Sequence, residues 1–463
     1  MQKKIRHTFF ALFIPLFFIL LFSCTEKSPI EKNSNVTWSA DIAPIIYKNC
    51  SPCHRPGESG PFHLLSYHDA IKKAKLIKFV TQTGYMPPWP ADPSYSHFIG
   101  ERVLTKNEIA IIALWVDNGM QRGDSAVEPS APTFYSGSFY RKPDLTIESV
   151  GQIKIKGNGT DVFYILKFPY EMDKDTLIDF VEFVPDQRKI IHHVNGHLIS
   201  YDPNRTFNHM KGDWASIDTR EKVLEVYNKM NIPYTDGKSP LYPTLTPNTV
   251  YYLPGYTPPV YPKSIGGYRM KKNGAFLLNN IHYGPSNIDT VDESKINVFF
   301  RKEKIQRPIV ESQLGTFGTG KIKPDFIIPA NQIKTFHTSI TLTKAISLLS
   351  VNPHMHLLGE KYWAFALNPS GDTIPLIRIN KWDFKWQYYY TYTKPIALTE
   401  GSQIHVYGTF NNTNKNPLNP FHPPQDITSG NGVESMKTTE EMFQFIYSYI
   451  PYQKGDENIK LDN

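Results

Sequence analysis

Three cysteines in 463 residues, at positions 24, 50 and 53, set the first limit on what this chain can build. With no paired structural cysteines to spare, its domains must hold together by packing alone. Cys50 and Cys53 sit in a tighter context. The run "KNCSPCHRPG" places His54 directly after a C-x-x-C pair, the signature at which two thiols form thioethers with porphyrin vinyl groups and the adjacent imidazole ligates the iron. A thioredoxin-like redox pair or half of a zinc site would use the same cysteines. There is no second cysteine pair, however, and an export leader suits haem attachment outside the cytoplasm. Cys50, Cys53 and His54 are therefore expected to hold one c-type haem. A methionine as sixth ligand would raise its potential. Met86, in the proline-stiffened run "GYMPPWPADPSY", is the first candidate, and Met120, just past an expected helix, is the competitor.

The leader "MQKKIRHTFFALFIPLFFILLFSC" has a basic start, an apolar stretch and then a cysteine, the pattern of a secretory signal rather than a spanning helix. Leu21-Phe22-Ser23-Cys24 resembles a bacterial lipobox, which would make Cys24 the lipidated first residue of the mature chain and tether the body to a bilayer. An uncleaved N-terminal anchor is the other reading. Either way the body is expected in the cell envelope, outside the cytoplasm, facing the periplasm or the cell surface. The formal charge of +7 includes Lys3, Lys4 and Arg6 of the leader, and no basic cluster suggests a nucleic-acid partner.

Aromatic residues make up 13% of the chain and 37 prolines outnumber 28 glycines, a mix that favours strands and turns over long helices. Helical runs are confined to the first part. They are "WSADIAPIIYKN", "YHDAIKKAKLIKFVTQTG" and "LTKNEIAIIALWVDNG", the last with a capping box from Thr105 to Glu108 and Gly119 as a stop. Beyond a Ser/Pro/Gly-rich linker the runs become short and β-rich, such as "DVFYILKFPY", "LIDFVEFVPD", "AFLLNNIHYGPSN" and "SQIHVYGTFNN". The expected class is a multidomain chain, with a small all-α cytochrome c domain followed by two antiparallel β-sandwich, jelly-roll-like domains. The expected boundaries are 1–23 for the signal peptide, 24–35 for a tether, 36–122 for the mono-haem domain and 123–142 for a linker, with β domains at 143–304 and 305–463.

Six of fifteen histidines fall in "IIHHVNGH", "NIHYG" and "PHMH". His354 and His356 are two apart, so on a strand they point to one face with Cα atoms roughly 6.5 Å apart and can converge on a metal. His192 and His193 are adjacent and face opposite ways on a regular strand. They can share a metal only if the backbone bulges or one ring reaches round. His197 lies too far along the strand from His193 to join it. Each of these histidines has an ordinary structural reading beside the metal one.

Taken in order, "HHVNGH", "NIHYG", "PHMHLLG", "WDFKWQ", "TFNNTNKNPLNP" and "TTEEM" resemble the copper type II, ascorbate-dependent monooxygenases, over roughly residues 143 to 460. The N-terminal part, through "PCHRPG" and "MPPWPADPSY", resembles the cytochrome c domain fused to bacterial members. The resemblance implies two copper ions. His192, His193 and His282 would hold the copper that supplies electrons, and His354, His356 and Met442 the catalytic copper where dioxygen and substrate meet. Imidazoles suit copper, and a soft thioether favours Cu(I). Met355 and Met436 are the decoys for Met442. The amidating members grip a peptide carboxylate with an arginine and a tyrosine at the places where this chain has Asn352 and Ile446, so peptide amidation is disfavoured.

The implied activity is hydroxylation of a C–H bond in a small organic substrate with dioxygen, with electrons supplied by the fused haem, by ascorbate or by a redox donor protein. The rival from another class is a non-catalytic electron-transfer or copper-binding protein of the cell envelope. A zinc hydrolase is disfavoured because methionine is a poor zinc ligand.

Overall fold

The computed structural model of the protein describes residues 35–134, 138, 141–199, 208–218, 222–232, 245–256, 258–262, 265–304, 307–430 and 437–461. The leader, Cys24, most of the expected tether and Met436 lie outside the described residues. No helix among the described residues is long and apolar enough to cross a membrane.

The first helical turn, Trp38–Ile42, runs into the helix Ala43–Asn49, and the helices Tyr67–Gln82 and Lys106–Asp117 follow. The last starts on the capping box, with Glu108 N–H donating to Thr105 Oγ1 at 3.1 Å and Thr105 N–H to Glu108 Oε2 at 2.7 Å. Trp38, Ile46, Ile112 and Trp115 are fully enclosed between these helices.

The strands form four larger sheets and two two-stranded ribbons among the described residues. A four-stranded sheet (Leu145–Glu148, Lys295–Phe300, Thr176–Val184, Tyr268–Met270) shares one core with a five-stranded sheet. The five are Ala215–Ile217, Val162–Glu171, Asn273–Tyr283, Ile191–Ile199 and Leu245–Tyr252. A second core lies with the sheet Val310–Gly315, Gln444–Pro451, Ile346–His354 and Tyr390–Leu398, and with the sheet Gln332–Thr341, Gln403–Asn412, Gly359–Leu367 and Thr373–Ile379. Alternating apolar side chains such as Ile404, Val406 and Phe410 turn inward and fill it.

This corrects the expected class of an all-α domain followed by two jelly-roll-like sandwiches. The chain is mostly β, with 37% of residues in strands and 14% in helices, built on four blade-like sheets, and no distinct all-α cytochrome domain stands apart from them. The physical reason is the run between the second and third long helices. Its apolar residues have no helical spacing and are buried by strands instead: Ala91 bridges to Ile379, Phe98 bridges to Tyr392, and both side chains belong to the second β core. Asp92 pairs with Arg378 at 2.9 Å, and Tyr388 Oη donates to Pro88 O at 3.0 Å.

Candidate metal centres around a shared cleft

The C-x-x-C-H turn begins where Ala43–Asn49 ends, with Cys53 N–H and His54 N–H both donating to Cys50 O. His54 Nδ1 lies 3.0 Å from Phe62 O, so Nδ1 carries the proton and Nε2 is left open to a ligand. Burial pushes the imidazole pKa down, which keeps it neutral. Burial pushes the Cys50 thiol up to about 12 and raises Cys53 as well, against the opposing effect of the Arg102 guanidinium. Redox-active C-x-x-C pairs need a depressed thiol pKa, so this environment disfavours a thioredoxin-like role.

Cys50, Cys53, His54 and Met86 line one cleft of about 390 Å³, within the ~300–1,000 Å³ of ordinary small-molecule sites. Its walls are mainly apolar, and its cations are Arg102, Lys189 and Lys385. His192, from the β body, lines it too. Met120 does not line this cleft; it packs against the helical core, and its carbonyl accepts from Tyr67 Oη.

The adjacent histidines are reconciled by a bulge. Ile191 stands opposite Tyr283 and His193 opposite His282, so His192 is an extra residue in its strand, and the regular alternation is broken there. The His192 and His193 rings come within 4.8 and 5.0 Å of the His282 ring, centroid to centroid. Gly284 makes room for this: a Cβ there would stand 2.3 Å from His192 Nε2. Asp161, which the sequence reading did not select, lies 2.7 Å from His282 Nε2. With Nε2 engaged by that carboxylate, His282 presents Nδ1, the arrangement in which a carboxylate orients a metal-bound imidazole. Asp161, His192 and His282 each bring a ligand atom within 4.8 Å of the others.

His354 ends the strand Ile346–His354, and His356 follows in the next turn, their rings 5.0 Å apart. Nδ1 of His356 donates to Glu440 O at 2.8 Å, and Nδ1 of His354 donates to Gln387 Oε1, so both rings carry their proton on Nδ1. The backbone of Met442 runs alongside them. His354 pairs with Gln444 across the strands, and Glu441 takes backbone N–H groups from His356, Leu358 and Met442. Met355 is enclosed in the β core, away from this set, as its alternation predicts. Asn352 and Ile446 face each other as Cα partners on neighbouring strands, and the Asn352 amide is used on Tyr388 O at 2.9 Å. The two histidine sets lie on different sheets, His192, His193 and His282 on the five-stranded one and His354 at the end of a strand in the sheet that also holds Val310–Gly315, Gln444–Pro451 and Tyr390–Leu398.

No family model matches this chain, and no curated protein matches it. Among solved structures, one of PNGF-II has 11% identity and a TM-score of 0.23, over 66% of this chain and 65% of that one, a likeness too slight to support any inference about fold or activity.

Proposed function

We propose that this protein is a copper-dependent monooxygenase that hydroxylates a C–H bond of a small organic substrate with dioxygen, fed with electrons through its own c-type haem, with ascorbate or a donor protein as the outer source. It rests on the resemblance to the copper type II, ascorbate-dependent monooxygenases. The observation that carries it is the shared cleft. Residues far apart in the chain, the C-x-x-C-H turn, Met86 and His192, line one cavity.

The donor sets fit the groups assigned to them. His54 offers a neutral imidazole with Nε2 open, and Met86 offers a thioether in the same cleft. Three imidazoles at His192, His193 and His282 suit copper, and two imidazoles with the thioether of Met442 would suit copper better than zinc. Bound copper would supply the redox change needed to activate dioxygen. The chain's own part is to orient His282 through Asp161, to hold His354 and His356 in the Nδ1–H tautomer, and to fix the approach of Met442 through Glu441. Asn352, with its amide committed to a backbone carbonyl and no cation at that place, leaves a substrate carboxylate without a partner, so a neutral substrate is favoured.

Metal analysis, a haem absorption spectrum and oxygen uptake against a panel of small organic substrates test the reading. Copper-depleted protein should keep its haem spectrum and consume no dioxygen. Undiminished uptake after copper removal would refute the oxygenase, and copper with haem but no uptake against any substrate would favour the non-catalytic electron carrier.

A further inference from the structure

Lys385, Trp386 and Gln387 are consecutive, and between them they reach all three candidate sites. Lys385 and Trp386 line the cleft that holds Cys50, Cys53, His54 and Met86. His192 lines the same cleft as Lys385. Gln387 Oε1 accepts the Nδ1 proton of His354. The orientation of that amide is fixed, because Gln387 Nε2 donates to Phe384 O at 2.8 Å. The Gln387 carbonyl is held as well, by Tyr251 Oη at 2.8 Å. Trp386 is steadied by stacking on Tyr388, with ring centroids 6.0 Å apart and planes at 12°.

Resting on the reading above, we propose that residues 385–387 form a dedicated electron path from the haem cleft to the metal at His354 and His356, separate from the opening at His192. The connection is covalent from the Trp386 indole through the 386–387 peptide to the Gln387 amide. It then crosses one hydrogen bond, Nδ1–H to Oε1, and ends at the His354 imidazole. The step moves one electron: ferrous haem iron is oxidised to ferric, and one cupric ion is reduced to cuprous, with no atom or proton transferred. A hydroxylation that incorporates one oxygen atom and sends the other to water needs two electrons from outside, and a haem delivers them singly. Two entry points let each metal be charged without passing both electrons through one.

The full-length protein carrying haem and copper is the material for the test. The haem is reduced by a flash with deazaflavin, its reoxidation is followed by absorbance, and the cupric signals are followed by freeze-quench electron paramagnetic resonance. His193→Ala removes metal from the three-histidine set. In that background the cupric signal of the His354 and His356 site should still decay as the haem reoxidises. Gln387→Leu should slow this decay about tenfold or more, in line with the loss of a partner to a metal-ligating histidine. Gln387→Glu, which retains an acceptor, should restore it. Trp386→Leu, which leaves the Gln387–His354 hydrogen bond in place, should slow it at unchanged copper content, and this variant decides the matter if Gln387→Leu lowers occupancy. A decay abolished by His193→Ala alone, or unaltered by Trp386→Leu, overturns the path. A protein with no haem absorbance or no bound copper overturns the functional reading and the path with it, and that failure shows in the static spectra rather than in the rates.

Discussion

Glu441 Oε2 accepts the backbone N–H of His356 at 2.9 Å while Oε1 accepts that of Leu358 at 2.6 Å. A single carboxyl group, almost wholly enclosed, therefore ties the turn after H-x-H to the residue that precedes Met442. Glu441→Ala would strand those donors, at about 1–3 kcal/mol for each buried group left without a partner. Urea unfolding should show a loss of a few kcal/mol. Copper content should fall at this site, with affinity about 10–100-fold weaker, while the three-histidine set keeps its metal.

Asp161→Asn tests the other set. The amide cannot supply the charged acceptor that His282 Nε2 now faces at 2.7 Å. Metal affinity there should weaken by about 10–100-fold, and the haem spectrum should be unchanged. Equal affinity in variant and parent, measured by competition with a chelator, would separate Asp161 from the metal site.

Met86→Ala should alter the visible spectrum of the haem and lower its midpoint potential, since a thioether opposite histidine raises the potential. Met120→Ala should do neither, because Met120 packs on the helical core instead of lining the cleft. Spectra and redox titrations of both variants check this pair of outcomes.

Glu311 gives a pH dependence away from the metal ligands. It accepts Asn248 N–H from the strand Leu245–Tyr252 at 3.3 Å, and burial raises its pKa to about 7. The folded protein thus retains a proton between about pH 4.5 and 7 that the unfolded chain has already lost, so this group's contribution to stability is greatest below that window and declines as pH rises through it. The decline is on the order of 3 kcal/mol. Glu311→Gln should flatten that part of the stability profile, as chemical denaturation at several pH values would record.

Local chemistry was legible in the sequence where its spacing is fixed by the chain itself. The capping box at Thr105 and Glu108, the turn that gathers Cys50, Cys53 and His54, and the closeness of the His354 and His356 rings all belong to this kind, although the strand ends at His354. The convergence of His192 and His193 was not, because the bulge depends on how their strand registers with Asn273–Tyr283. Asp161 is 121 residues from His282, and no local pattern announces that pairing. The separate helical domain failed for a similar reason: the partners of Pro88 and Asp92 lie 300 and 286 residues further on, so their burial is decided by strands that the local reading could not see.

Because Ala91 and Phe98 are built into the second β core, the part of the chain that carries Cys50 and His54 is no detachable cartridge. A cut at residue 122 would leave that core with vacancies and the excised fragment with bare aromatic surface. Replacing that part with a foreign domain would therefore have to keep residues 87 to 102 with the recipient, and evolution tinkering by domain shuffling would meet the same seam.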